Sequence, residues 1–303
     1  MALPYCFSHQ VTLRDLVRLA MTEMDRHDIS LGHGTADLWE EATFLVLRAL
    51  RLPFDRLETF WDAHLTDGEL ERVLELIRRR VEDKVPVPYL LNEAWLTGEC
   101  FYVDERVLIP RSFIAELLEE DLAPWVEDPE AVESVLDMCT GSGCLAILAA
   151  NAFPNAHVTG ADISAEALEV ARINRNRFEL EDDLELVQSD IFSSLAGRRF
   201  DVIISNPPYV TQAAVDALPA EYLHEPAIAL GSGDDGMNFM RAFMPQLAEH
   251  LTDNGVAIVE IGDGREAFEA IWPDLPVTWL TTSAGDDMCF AVYARDLAGY
   301  DFS

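Results

Sequence analysis

The chain has 303 residues, half of them hydrophobic, enough to bury one large core or two ordinary ones. Against 21 basic residues stand 55 acidic ones, a net charge of −34, and Lys84 is the sole lysine. Such a surface repels phosphate backbones, which argues against duplex DNA or bare RNA as substrate and for a basic protein partner; acidity with almost no lysine reads equally as adaptation to a saline cytoplasm.

No run of 18 apolar residues occurs, and the start lacks the basic-then-apolar layout of a signal peptide, so neither a membrane span nor export is expected and the cytoplasm is the expected location. The five cysteines, Cys6, Cys100, Cys139, Cys144 and Cys289, are odd in number and show no CxxC or Cys/His spacing. Neither a disulfide framework nor a metal site is indicated.

Up to residue 84 the apolar period is helical. Thr12 and Asp15 form a capping pair ahead of Leu13, Leu16, Val17, Ala20, Met21 and Met24; Leu38, Ala42, Leu45 and Ala49 repeat the period until Leu52-Pro53 stops it. Thr66 and Glu69 make a second capping box before Leu70, Val73, Leu74 and Ile77. Residues 1–84 therefore read as a bundle of three or four helices. Arg78-Arg79-Arg80 at the end of the last one reads as a solvated face that complements the helix dipole.

Val85-Pro86-Val87-Pro88 breaks the helix and opens a linker over 85–114, in which short β-like pieces around Thr97-Gly98-Glu99 suggest a hairpin. From residue 115 to 303 helix and strand alternate. Apolar strands are expected at Ser134 to Met138, His157 to Ala161, Leu184 to Gln188, Phe200 to Ser205 and Gly255 to Ile261, and Val277 to Thr282 with Met288 to Ala294 could close the sheet as an antiparallel pair. Repeated βα units imply an α/β domain with a mainly parallel sheet covered on both faces. Up to residue 85 there are 11 basic and 16 acidic residues; the remainder carries 10 and 39, so the acid is concentrated in this larger part.

Chemistry gathers at four strand ends. After the first strand, Asp137-Met138-Cys139-Thr140-Gly141-Ser142-Gly143 opens an apolar helix; its glycines let backbone turn tightly and approach a ligand, though Cys139 stands where a full dinucleotide fingerprint has glycine. The second strand ends at Asp162, 21 positions after Gly141, near the offset at which an acidic residue meets ribose hydroxyls. Asp162 could instead cap the helix beginning near Ala165, a role also open to Ser164. The third strand ends in Ser189-Asp190-Ile191-Phe192, an acceptor with apolar neighbours suited to an adenine ring. The fourth runs into Asn206-Pro207-Pro208-Tyr209, a rigid loop offering an amide, a fixed carbonyl and an aromatic face. These suit a planar NH2 group, whose hydrogens need two acceptors and whose face can stack.

In that order the four groups resemble a Rossmann-like class I methyltransferase dependent on S-adenosyl-L-methionine, and the NPPY places the resemblance among enzymes that methylate planar nitrogens. Pro88-Tyr89-Leu90-Leu91 and Val107-Leu108-Ile109-Pro110-Arg111 resemble the segment before the catalytic domain of HemK-type protein-glutamine N(5)-methyltransferases. Gly32-His33-Gly34-Thr35, Phe101 to Arg106 and Pro110 to Glu116 resemble the branch acting on ribosomal protein L three, with the release-factor branch as the alternative. Phe113 departs from that branch, which usually carries proline there.

The resemblance implies that Asp137, Cys139, Thr140, Gly141, Ser142, Gly143, Asp162, Asp190, Ile191 and Asn206 hold the cofactor. It further implies that Asn206, Pro207, Pro208 and Tyr209 hold the glutamine, with Asn206, Pro207 and Tyr209 catalytic, and that the helical part recognises the substrate. No general base is required of the site. His33, before a helix, reads as structural.

Overall fold

Both capping boxes expected from the sequence form in the computed structural model, which describes residues 11–35 and 37–302. Thr12 starts the helix Leu13–Arg26 and Thr66 the helix Asp67–Glu82, while Asp37 caps Leu38–Ala49. Their apolar stripes share one core in which Leu16, Val17, Ala20, Leu45, Val46, Val73 and Ile77 are buried. Val85-Pro86-Val87-Pro88 does more than break a helix. Pro86 is the N-cap residue of a further short helix, Val87–Leu91, whose first turn accommodates Pro88 because proline's fixed φ and missing N–H are tolerated there. The described residues from Val11 to Ala94 cluster with a distant piece of chain, Pro219–His224, as one compact unit.

Arg80 corrects the reading of the three arginines as a solvated face. Arg78 does sit among the surface carboxylates of Glu75, Glu82 and Asp83, but Arg80 is 1 % exposed. Its guanidinium donates to Glu41 at 2.5 Å, to the Ser30 carbonyl at 2.9 Å and to Glu221 at 3.4 Å, and Glu221 in turn accepts the Ser30 N–H at 2.9 Å. One buried cation thus holds the 219–224 segment within this unit. Beside it the Tyr222 ring lies 4.4 Å from the His33 ring, and a Cβ on Gly32 (φ +137°) would come 2.4 Å from the Tyr222 oxygen. The Gly32-His33 pair is therefore a packing seat for Tyr222, and Thr35 donates to Glu41 at 2.8 Å.

The second unit comprises Trp95–Leu218 and the residues from Glu225 onward. A short hairpin, β1 (Ala94–Leu96) and β2 (Glu99–Phe101), turns through Thr97 and Gly98, both at positive φ as a tight two-residue turn requires. Seven strands follow: β3 (Ser134–Met138), β4 (His157–Asp162), β5 (Leu184–Gln188), β6 (Phe200–Ser205), β7 (Leu251–Glu260), β8 (Thr278–Thr282) and β9 (Gly285–Tyr293). They form one sheet in the order β5-β4-β3-β6-β7-β9-β8, parallel from β5 to β7 and antiparallel at β7–β9 and β9–β8.

Successive residues of the central strands face opposite cores. Val202 and Ile204 join one and Ile203 the other, which is why β6 reads as a continuous apolar run. β7 begins four residues earlier than its apolar run suggests, because Gly255 marks an irregularity in pairing with β6: a Cβ there would come 2.8 Å from the Phe200 carbonyl oxygen. The chain winds β3-β4-β5 outward and then returns to place β6 beside β3. The crevice at such a reversal, outside the carboxyl ends of the strands, is where open α/β sheets bind ligands.

Candidate active site

The loop leaving β3 turns through three positive-φ residues, Cys139 (+64°), Gly141 (+54°) and Gly143 (+80°). Asp137 lies beneath it, fully buried; its Oδ2 accepts from Thr140 Oγ1 at 2.6 Å and from the Ala146 N–H at 3.0 Å. The helix Cys144–Ala152 has no side-chain cap of its own, so Asp137 satisfies one of its first-turn amides from the strand. Burial pushes the Asp137 carboxyl up to about 7 against the opposing pull of those two donors, and its Oδ1 has no hydrogen-bond partner among the described residues. Asn174 pins the loop from the other side, donating to the Ser142 carbonyl at 2.8 Å. Gly143 lies close under the helix Ala165–Arg177, where a Cβ would come 3.2 Å from Ala171 Cβ.

Asp162 ends β4, and its two oxygens serve two backbones: Oδ2 accepts the Gly141 N–H and Oδ1 the Ser164 N–H, both at 2.9 Å. Ser164 caps the following helix through the Ala167 N–H, which settles the choice between the two residues for that task. Burial raises the Asp162 carboxyl above its ordinary value while the backbone donors pull it down. Ser189 shapes the end of β5, donating its hydroxyl to the Ile191 carbonyl at 2.6 Å and accepting the Ser194 N–H at 3.0 Å.

At the end of β6, Ser205 donates to the Met138 carbonyl at 2.8 Å and so ties the NPPY strand to the glycine-loop strand. Pro207 is buried; Asn206, Pro208 and Tyr209 are partly exposed. Val210 then bridges Gly231 in parallel, and the Tyr209 hydroxyl donates to Glu260 Oε1 at 3.1 Å. Arg111 clamps Glu225 with two bonds of 2.6 and 2.8 Å, and Glu225 also takes the Ile109 N–H at 3.0 Å.

A cavity of about 400 Å³ opens at this edge, within the size range of small-molecule sites. Cys139, Gly141, Asp162, Asp190, Ile191, Asn206 and Pro208 line it. Asp137, beneath the loop, and Thr140, Ser142 and Gly143, within it, do not; all four are buried. Pro207 and Tyr209 are likewise not among its lining residues. Ser232 and Asn238 line it although no motif marks them, as does Arg106, which closes the Phe101 to Arg106 segment but for which the resemblance implies no site role, and Glu260, which reaches Tyr209, closes an apolar run with no spacing signal of its own.

The sheet order, the glycine loop, the acidic end of β4 and the NPPY at one reversal define a class I methyltransferase. The family model for the methyltransferase small domain matches residues 115–233. Over 94 % of this chain and 96 % of its own length, the ribosomal protein uL3 glutamine methyltransferase of Bordetella pertussis is 52 % identical; that of Burkholderia pseudomallei is 49 % identical over 94 % and 95 %. That of Neisseria gonorrhoeae is 46 % identical over 95 % and 96 %. The chain belongs to the family of ribosomal protein uL3 glutamine methyltransferases.

Proposed function

We infer that the enzyme transfers a methyl group from S-adenosyl-L-methionine to the side-chain amide nitrogen of a glutamine in ribosomal protein uL3, and that it acts in the cytoplasm on the free, cationic protein. The observation that carries this reading is that Asn206 and Pro208 of the NPPY line the same cavity as Asp162.

The cavity suits the cofactor on its own chemistry. Asp162 can accept ribose hydroxyls with lone pairs left over from Gly141 and Ser164, Asp190 and Ile191 offer an acceptor and an apolar neighbour for adenine, and Gly141 presents backbone without a side chain. When bound, the cofactor supplies a methyl group made electrophilic by its sulfonium charge.

An amide nitrogen is a poor nucleophile because its lone pair is delocalised. The Asn206 side-chain oxygen and the Pro207 carbonyl would accept the two amide hydrogens and turn the nitrogen toward a tetrahedral form with its lone pair aimed at the methyl carbon. Tyr209 would stack on the amide plane. The new N–C bond forms as the S–C bond breaks, and the amide then releases one proton to solvent. Alignment of this kind supplies roughly 7 to 11 kcal/mol in well-oriented reactions, so no general base is invoked.

We assign substrate recognition to the helical unit. The acidity of residues 86–303, with 39 acidic against 10 basic side chains, favours a ribosomal protein not yet neutralised by RNA and disfavours nucleic acid as a direct substrate. The test is labelling by purified enzyme of free uL3, a release factor and intact large subunits, followed by mass spectrometry. One added methyl on a uL3 glutamine is expected. Preferential labelling of the release factor or of assembled subunits overturns the substrate assignment.

A further inference from the structure

Glu260 is 1 % exposed at the carboxyl end of β7, the strand paired with β6. A carboxylate this deep is costly unless donors surround it. Three do: Ser112 Oγ at 2.6 Å and the Phe113 N–H at 2.9 Å on Oε2, and the Tyr209 hydroxyl at 3.1 Å on Oε1. Phe113 matters here through its backbone, since a proline at that position has no N–H to give. Two residues on, Gly262 leaves room for the ring: a Cβ there would come 2.4 Å from Tyr209 Cε2. Gly236 does the same for its backbone, where a Cβ would come 2.3 Å from the Tyr209 carbonyl oxygen. The tripeptide Glu260-Ile261-Gly262 thus provides both the anchor for the hydroxyl and the space for the ring.

We propose that Glu260 is a positioning residue for methyl transfer: held by Ser112 and Phe113, it fixes the tilt of the Tyr209 ring against the substrate amide. The proposal rests on the glutamine-methylating reading of the NPPY. Stacking alone would need only the aromatic ring and leave the hydroxyl dispensable. A ring that must hold one angle while the amide nitrogen pyramidalises needs its far end tied, and Glu260 ties it.

The experiment measures kcat and KM on free uL3, with cofactor affinity by calorimetry, for wild type, Tyr209→Phe, Glu260→Leu, Glu260→Gln and the Tyr209→Phe/Glu260→Leu double variant. Tyr209→Phe and Glu260→Leu should each lower kcat roughly tenfold, mid-range for groups coupled in one hydrogen-bond network, with KM and cofactor affinity within about twofold of wild type. The double variant should be no slower than the slower single one. Glu260→Gln should recover much of the loss, because its amide oxygen can serve Ser112 and Phe113 while its NH2 donates to the Tyr209 oxygen. If Glu260→Leu does not fold, Tyr209→Phe decides alone, since it leaves Glu260 two of its donors. Turnover of Tyr209→Phe within twofold of a wild type that methylates uL3, or additive losses in the double variant, overturns this proposal only. A wild type that methylates no glutamine overturns the underlying reading and this proposal together.

Discussion

The Gly141 N–H donates to Asp162 Oδ2 at 2.9 Å, so the glycine loop after β3 and the acidic end of β4 are one piece of structure. Asp162→Ala removes the acceptor proposed for the ribose and also frees the Gly141 and Ser164 amides. Cofactor affinity should fall by an amount equivalent to about 1 to 3 kcal/mol, the usual cost of stranding buried polar groups. Calorimetric titration with S-adenosylmethionine checks this; an unchanged dissociation constant would remove Asp162 from the site.

Asn206→Ala should fold as wild type does and lose most turnover. The variant deletes the acceptor proposed for the substrate amide, whose bond would strengthen as the amide hydrogens gain positive character, and deleting one donor of an oxyanion hole, the mirror-image case, costs roughly 100- to 1,000-fold in rate. Single-turnover methylation of free uL3 measures it. Activity within threefold of wild type would refute the role assigned to Asn206.

Much of this arrangement was legible because the central strands are buried on both faces. β3 and β6 therefore read as apolar runs that stop where the pairing stops, with Asn206 just where β6 ends, while Asp162 is marked by its charge at the end of β4. Glu260 was not legible in the same way: a lone carboxylate closing Val256 to Val259 has no partner at a diagnostic spacing, and its donors lie 51, 147 and 148 positions away. Arg80 was misread for a related reason. Three arginines at a helix end look alike by residue type, but Arg80 falls three residues after Ile77 on the buried face, where Glu41, the Ser30 carbonyl and, 141 residues on, Glu221 receive its guanidinium.

Arg80→Ala should destabilise the protein sharply. It leaves Glu41 and Glu221, each 3 % exposed at the side chain, as buried carboxylates without their cation. Removing one partner from a buried ion pair typically costs about 3 to 5 kcal/mol. Urea unfolding followed by circular dichroism reads this directly, and Arg79→Ala is the control. Equal stability of the two variants would show that Arg80 carries no more than its solvated neighbour.

Asp137 predicts a pH signature. Burial raises its folded pKa from an ordinary carboxylate value of 3.8 to about 7, so between those values the folded protein keeps a proton that the unfolded chain has lost. Folding that retains protons is weakened as pH rises: this contribution is fully present below pH 3.8, declines by at most about tenfold in the folding equilibrium per pH unit, and levels off above about 7. Asp137→Asn has no such proton to lose, and its side-chain oxygen can still accept from Thr140 and Ala146. Glu260, also raised by burial, titrates in both proteins and cancels in the comparison, while the charge of Asp162 is one of the causes that raise Asp137 and acts in the same direction. The stability of wild type relative to Asp137→Asn should therefore fall from pH 4 to 7 and stay flat from 7 to 8, as measured by denaturant unfolding across buffers of constant ionic strength. A difference that is constant, or that rises with pH, would mean that Asp137 is ionised in the folded protein throughout.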